Sequence, residues 1–86
     1  MRQEIIFYKR KECHLCDNAL EILRRLQNEY DFTLKLVDIE ENDDLEEKYG
    51  LYIPVVEIDG EVIQFGQIDE HVIRMRLQKN KNVKDS

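Results

Sequence analysis

Two cysteines separated by two residues are the groups in this 86-residue sequence best suited to chemistry. Cys13 and Cys16 stand in the run Cys-His-Leu-Cys, and the sequence contains no other cysteine. A bridge between them would close a very small ring, so it would restrict the unfolded chain little. In a reducing compartment, a pair this close is typical of redox or metal chemistry rather than of a structural disulfide.

The cysteine pair lies where a predicted strand passes into a predicted helix. Residues 4–8 form a short apolar run typical of a buried strand. From about Cys13 to Glu29, apolar residues recur at spacings of three and four, which predicts an amphipathic helix. The N–H groups and the dipole of a helix N-terminus favour a thiolate at Cys13. Residues three apart in a first helical turn also meet the Cα separation of about 4.4–6.8 Å that a disulfide requires.

This placement predicts different roles for the two thiols. Cys13 is expected at the exposed helix tip, where its thiolate would attack a substrate disulfide, and Cys16 would resolve the mixed disulfide. The attack requires a pKa of Cys13 below the free value of about 8.5. Arg10 and His14 are candidates for contacting the substrate or supporting the thiolate. The alternative for both is an exposed, solvated side chain without a specific role.

A metal site is the main alternative for a Cys-x-x-Cys pair. A structural zinc ion normally takes four ligands, and the chain offers two cysteines and two histidines, one of them far away at His71. No metal site within a single chain is therefore predicted. A metal or iron–sulfur module with ligands from outside the chain stays open as an alternative function. A non-catalytic regulatory partner is the other alternative.

The remaining pattern predicts three further strands and two further helices. Residues 32–39 alternate in polarity like a strand, and Asn42 and Gly50 mark the start and the end of a short helix. Two short strands at 55–58 and 61–65 flank an Asp-Gly turn and predict a hairpin. Asp69 is expected to cap a last helix whose apolar positions are Ile68, Val72, Ile73, Met75 and Leu77.

The element order β-α-β-α-β-β-α predicts an α/β fold with a four-stranded mixed sheet and helices on both faces. One domain is expected over residues 1–78, followed by a polar tail over residues 79–86. The formal net charge is −6, which argues against nucleic-acid binding because that needs a basic footprint. The sequence has neither a membrane-spanning apolar run nor a signal-peptide pattern, so a cytoplasmic location is expected. The expected oligomeric state is a monomer.

These residues resemble the glutaredoxin-like proteins of the thioredoxin superfamily, particularly small bacterial members with a Cys-His-Leu-Cys type motif. The similarity runs from Glu4 to Leu77, and its most telling segments are residues 8–16, 37–39, 52–55 and 66–69. The resemblance implies a thioredoxin/glutaredoxin fold and a thiol–disulfide oxidoreductase that reduces protein or glutathione mixed disulfides. It matches Cys13 to the nucleophile and Cys16 to the resolving thiol.

The resemblance also implies how a substrate would bind. Pro54 matches a cis-proline that would expose the Ile53 backbone to an extended substrate or to glutathione. Without the resemblance, Pro54 would be read as a trans residue that begins a strand. Gly66 and Asp69 match part of a glutathione-binding segment. The alternative for Asp69 is a plain helix cap.

Three departures from the family pattern leave the electron donor open. Gln67 replaces the second glycine of the glutathione-binding segment, and His14 replaces the proline usual in dithiol glutaredoxins. The first strand also lacks the buried acid of thioredoxins. The expected partners are therefore protein disulfides or low-molecular-weight thiols, with a separate reductase as a candidate donor. No tightly bound cofactor is expected, and glutathione is a candidate co-substrate.

Overall fold

Within residues 2–79, which a computed structural model describes, the elements follow the predicted order β-α-β-α-β-β-α. They are β1 (Gln3–Lys9), α1 (His14–Gln27), β2 (Phe32–Asp38), α2 (Asp43–Tyr49), β3 (Val55–Ile58), β4 (Glu61–Phe65) and α3 (Glu70–Lys79). A 3-10 turn at Ile39–Glu41, which the sequence pattern did not predict, joins β2 to α2. The carboxylate of Asp38 begins this turn by accepting the N–H of Glu40 at 2.9 Å.

The strands form one mixed sheet in the order β2-β1-β3-β4. β1 pairs parallel with β2 and antiparallel with β3, and β4 pairs antiparallel with β3. Because β1 has a strand on each side, it lies in the middle of the sheet, and its side chains Ile5 and Phe7 are completely buried. The apolar run in β1 is therefore that of a central strand, as predicted.

Helices cover both faces of the sheet, as predicted. Ile5 and Phe7 point to the face that carries α1 and α3, and they belong to one core cluster with residues of both helices. The next side chain along β1, Tyr8, points the opposite way and packs against Tyr49 of α2, with ring centroids 4.6 Å apart. The predicted apolar stripe of α1 is confirmed by its buried residues Cys16, Ala19, Leu23 and Leu26.

Only some of the apolar residues predicted for α3 are buried. Ile73 and Leu77, which are four residues apart, are fully buried, whereas Val72 and Met75 are exposed. Residues 73 and 77 share one helix face, and the core covers only that face. Lys79 is the last residue of α3, so the helix extends one residue into the polar tail predicted over residues 79–86, and residues 80–86 lie outside the described residues.

The predicted Asp-Gly hairpin turn is present between β3 and β4. Asp59 and Gly60 have φ values of 49° and 86°, and two positive values in succession are typical of a type I′ turn. The pairing of β3 with β4 then shifts register between Val56–Gln64 and Glu57–Val62. β4 thus contains a bulge with one extra residue.

No helix among residues 2–79 is long and apolar enough to cross a bilayer.

Candidate active site

Cys13 occupies the N-cap of α1. Its backbone is extended, with φ −123° and ψ 107°, and its carbonyl accepts the N–H of Asp17 at 3.0 Å. The sulfur of Cys13 accepts the backbone N–H of Cys16 at 3.1 Å. Sulfur here takes the place of the oxygen that usually caps a helix, so a negative charge on Cys13 would face free N–H groups and the positive end of the helix dipole.

Cys16 lies one turn further along α1 and is completely buried in the core cluster, whereas Cys13 is only partly buried and packs against the edge of that cluster. The two residues form a disulfide, with Cα atoms 5.2 Å apart, inside the predicted range. A substrate disulfide can therefore reach Cys13 from solvent, whereas Cys16 is shielded from solvent and lies next to any group attached to Cys13.

The loop that leads from β1 to Cys13 is anchored to α2 and to the 3-10 turn. The Arg10 guanidinium donates to the carboxylate of Glu46 at 2.5 Å and to the carbonyl of Gly50 at 3.2 Å. The N–H of Lys11 donates to a carboxylate oxygen of Glu40 at 3.2 Å. Arg10, predicted as a substrate contact, thus binds the C-terminal end of α2 in this structure.

His14 is the first residue of α1 and is exposed, next to Cys13 along the chain. Its place at the helix tip is the predicted one. Glu12, on the other side of Cys13, is also exposed and has a φ of 54°, in the left-handed region that non-glycine residues rarely adopt. The backbone therefore turns sharply immediately before the nucleophile position.

Pro54 is buried and follows a cis peptide bond, as the resemblance implies. Tyr8 pairs with Val55 at the end of β1, so Pro54 lies at the sheet edge from which the Cys13 loop departs. Ile53 is partly buried against the core cluster, as is Cys13. The N–H of Gly66 donates to the carbonyls of Tyr52 and Pro54, at 2.9 and 2.8 Å. The fold thus joins the Pro54 and Gly66 segments at this edge.

Asp69 caps α3, as predicted: its carboxylate accepts the N–H of His71 at 2.8 Å. Its own backbone N–H donates to the side-chain oxygen of Gln64 at 2.8 Å. Gln64 was not anticipated from the sequence, because the bond depends on where the β4 bulge places its side chain. The sequence around Gln64 and the sequence around Asp69 give no indication that the two residues form a hydrogen bond.

An exposed apolar surface adjoins Pro54, and it too was missed from the sequence. Tyr52 and Phe65 are 49% and 58% exposed, and their rings meet edge to face at 5.4 Å. They line a shallow cavity of about 270 Å³ together with Lys48, Tyr49, Val55 and Val62. Leu51, in the same loop, is 94% exposed. Apolar side chains clustered in solvent are typical of a binding surface.

Among residues 2–79, no group of three or more His, Cys, Asp and Glu side chains is arranged so that it could hold a metal ion. His71 is the second residue of α3 and contributes its N–H to the Asp69 cap. The two cysteines form a disulfide with each other.

The fold and the site together define a thioredoxin-like domain with a Cys-x-x-Cys pair at the start of its first helix, an arrangement that indicates thiol redox chemistry. Residues 4–78 match the glutaredoxin-like domain family (DUF836), and the chain belongs to that family.

Relatives of known sequence or structure agree with this assignment. An uncharacterized protein of Mycobacterium tuberculosis is 26% identical over 84 residues, covering 92% of this chain and 87% of that protein. The solution structure of protein Ne2328 from Nitrosomonas europaea matches with a TM-score of 0.78 and 28% identity, over 90% of this chain and 93% of that one. A structural genomics target protein from X. campestris matches with a TM-score of 0.74 and 30% identity, over 87% and 96%.

The fold also matches the structure of a thioredoxin. A mutant thioredoxin from Halobacterium salinarum matches with a TM-score of 0.69 at 21% identity, over 90% of this chain and 73% of that one. At this identity the likeness concerns the fold alone. The predicted thioredoxin-type architecture is thus confirmed.

Proposed function

We propose that this chain is a thiol–disulfide oxidoreductase that uses Cys13 and Cys16 to reduce disulfides in proteins or mixed disulfides with glutathione. The observation that carries the proposal is the contrast between the two sulfurs. Cys13 is accessible and its sulfur accepts an N–H at the start of α1, whereas Cys16 is completely buried one turn away. A nucleophile needs access and a stabilised anion, and a resolving thiol needs only proximity.

The reaction takes two exchange steps. The Cys13 thiolate attacks one sulfur of the substrate disulfide; a new bond forms to Cys13, and the other sulfur leaves as a thiolate that takes a proton from water. The Cys16 thiolate, its proton lost to solvent, then attacks the Cys13 sulfur and releases the second substrate thiol. Two electrons pass to the substrate, and the chain ends as the Cys13–Cys16 disulfide seen in the structure.

Regeneration requires two electrons from outside the chain. Two molecules of a monothiol such as glutathione, or a dithiol delivered by a reductase, would return both cysteines to thiols by the same exchange chemistry. We assign the protein to the cytoplasm, because a reducing compartment keeps such a pair in its cycling form. We also propose that it acts as a monomer.

Substrate binding is assigned to the edge around Pro54. An extended segment that pairs with the Ile53 backbone would run past Cys13 and over Tyr52 and Phe65. The exposure of those two rings supports a substrate with apolar side chains. His14, exposed at the tip of α1 next to Cys13, is assigned to contact the substrate from the helix side.

The test combines single substitutions with a disulfide-linked peptide as substrate. Cys13→Ser is expected to abolish turnover, and Cys16→Ser is expected to accumulate a one-to-one mixed disulfide detectable by mass spectrometry. Asn18→Ser, at an exposed position on α1, is the matched control and should retain the wild-type rate. The reduction potential of the pair should lie above about −300 mV, the limit typical of structural disulfides.

Three results would contradict the proposal. Wild-type turnover by Cys13→Ser would remove Cys13 from the mechanism. A metal content or a charge-transfer absorption band in protein purified anaerobically would favour a metal-binding module. Two cysteines that react with alkylating reagents at equal, unactivated rates and support no turnover would favour a non-catalytic binding role.

A further inference from the structure

At the start of α3, two of the backbone N–H groups that could bind an anion already have partners within the chain. A carboxylate at such a position is held by backbone N–H groups that have no partner within the helix. Here the N–H of Asp69 donates to the Gln64 side chain at 2.8 Å, and the N–H of His71 donates to the Asp69 carboxylate at 2.8 Å. Both donors face acceptors that belong to the chain itself.

The charges at this helix start also oppose an incoming anion. Asp69 and Glu70 are consecutive carboxylates in the cap and the first turn. Hydrogen bonds from Arg25 and then from Arg74 hold the pKa of Glu70 below its usual value, so this carboxylate is charged near neutral pH. The two arginines are engaged with Glu70 on the face shared with α1, where they form ion pairs.

Space for a ligand nevertheless exists beside these groups. A cavity of about 380 Å³ lies at the start of α3, lined by Gln64, Gln67, Ile68 and Asp69. The resemblance implies glutathione at this position, and glutathione carries two carboxylates and one ammonium group. The room is present, but two of the N–H groups that could hold a carboxylate there, those of Asp69 and His71, are already engaged.

We propose that Gln64 is a specificity-determining residue that closes the start of α3 to carboxylates, so that the substrates are protein disulfides rather than mixed disulfides with glutathione. This inference rests on the proposed function. Gln64 acts by occupying the Asp69 N–H, and the Asp69 and Glu70 charges add repulsion. A protein disulfide would bind through the Pro54 edge and its apolar surroundings alone. Closing the start of α3 to carboxylates therefore does not weaken its binding.

The experiment compares two mixed disulfides of one single-cysteine peptide. One peptide carries glutathione on its cysteine, and the other carries 2-mercaptoethanol, which is neutral. Each is reduced by catalytic protein with dithiothreitol as the dithiol reductant, and kcat/KM is measured for both. The ratio of the two values isolates recognition of glutathione, because any loss of folded protein cancels from it.

The wild-type protein is expected to show no preference for the glutathionyl peptide. Gln64→Ala should raise the glutathionyl-to-neutral ratio about 3- to 10-fold, the range for gaining one hydrogen bond. Gln64→Glu, which keeps an acceptor and adds a charge, should lower the ratio below that of the wild type. Asn18→Ala, at an exposed position on α1 that does not line this cavity, is the control and should leave the ratio unchanged.

The failure of this inference is distinguishable from that of the proposed function. A wild-type preference of about tenfold or more for the glutathionyl peptide, or equal ratios for the wild type and both Gln64 variants, would overturn the role of Gln64 while leaving the dithiol mechanism intact. Absence of turnover on both peptides by the wild type would overturn the proposed function and this inference with it.

Discussion

The backbone N–H of Cys16 donates to the sulfur of Cys13 across 3.1 Å, so the two residues are joined by a hydrogen bond as well as by the disulfide. The donor belongs to the first turn of α1, which is also held by the backbone hydrogen bond from the Asp17 N–H to the Cys13 carbonyl at 3.0 Å. We therefore expect the N–H to remain directed at Cys13 after reduction, where it would stabilise the thiolate.

Alkylation of the reduced protein should distinguish the two cysteines. Limiting iodoacetamide at neutral pH is expected to label Cys13 first, because Cys16 is completely buried. Fragmentation mass spectrometry of the labelled peptide locates the modification. Protein unfolded in urea should be labelled at both residues and serves as the control. Equal labelling in the folded state would contradict the assigned roles.

Tyr8 should make the stability of the fold sensitive to alkaline pH. Burial first, and then the neighbouring Glu57 carboxylate, raise the pKa of Tyr8 from 10.0 to about 12. The folded state holds the phenol proton more tightly than the unfolded state, so this stabilisation is complete below about pH 10 and is lost as the pH rises towards about 12.

Tyr8→Phe should remove that part of the pH dependence while changing the free energy of unfolding at neutral pH by about 1 kcal/mol. Urea unfolding at several pH values between about 9 and 11.5 measures both effects. Tyr52→Phe, which alters an exposed ring, is the control and should keep the wild-type slope. The same slope in Tyr8→Phe would show that another group is responsible.

The bond between Arg10 and Glu46 should stabilise the end of α2. Both side chains are partly exposed, at 31% and 39%, so Arg10→Ala is expected to cost only about 0.5–1.5 kcal/mol in the free energy of unfolding. A double-mutant cycle with Glu46→Ala should show that the two changes are coupled. If Arg10 contacted the substrate instead, Arg10→Ala would lower kcat/KM without any coupling to Glu46.

Gly66 and Gly60 offer a matched pair of backbone tests. Both have positive φ values, 76° and 86°, and an added Cβ would meet no atom within 4 Å at either position. Replacement by alanine should therefore cost about 1–2 kcal/mol at each site through backbone strain alone. Only Gly66→Ala should also lower the rate of disulfide reduction, because Gly66 hydrogen-bonds the Tyr52 and Pro54 carbonyls. Equal rates in the two variants would show that Gly66 does not contribute to the active site.

Features governed by neighbours in sequence were predicted well. The caps at Asn42 and Asp69, the turn at Gly60 and the buried stripe of α1 all follow from local spacing and backbone preference. The position of Cys13 at the start of α1 follows from the change in periodicity between strand and helix. These signals lie within one or two turns of the residues they concern.

Features governed by contacts distant in sequence were missed. Arg10 meets Glu46 across 36 residues, and nothing in either neighbourhood indicates the other. The exposure of Met75 and Phe65 depends on which surface the sheet and helices leave uncovered, although both residues have the polarity of core side chains. Local patterns specify elements, whereas partners and uncovered surfaces depend on how the elements pack.

The bulge in β4 has a consequence for how this domain can diversify. The extra residue lets Ile63 pack against the core while Gln64, its neighbour, reaches the start of α3. Deleting one residue at the bulge would restore regular alternation and change which side chain meets Asp69, with β1, β3 and the cysteine pair untouched. A single-codon deletion could thereby alter substrate choice in a descendant lineage while the reactive centre is inherited intact.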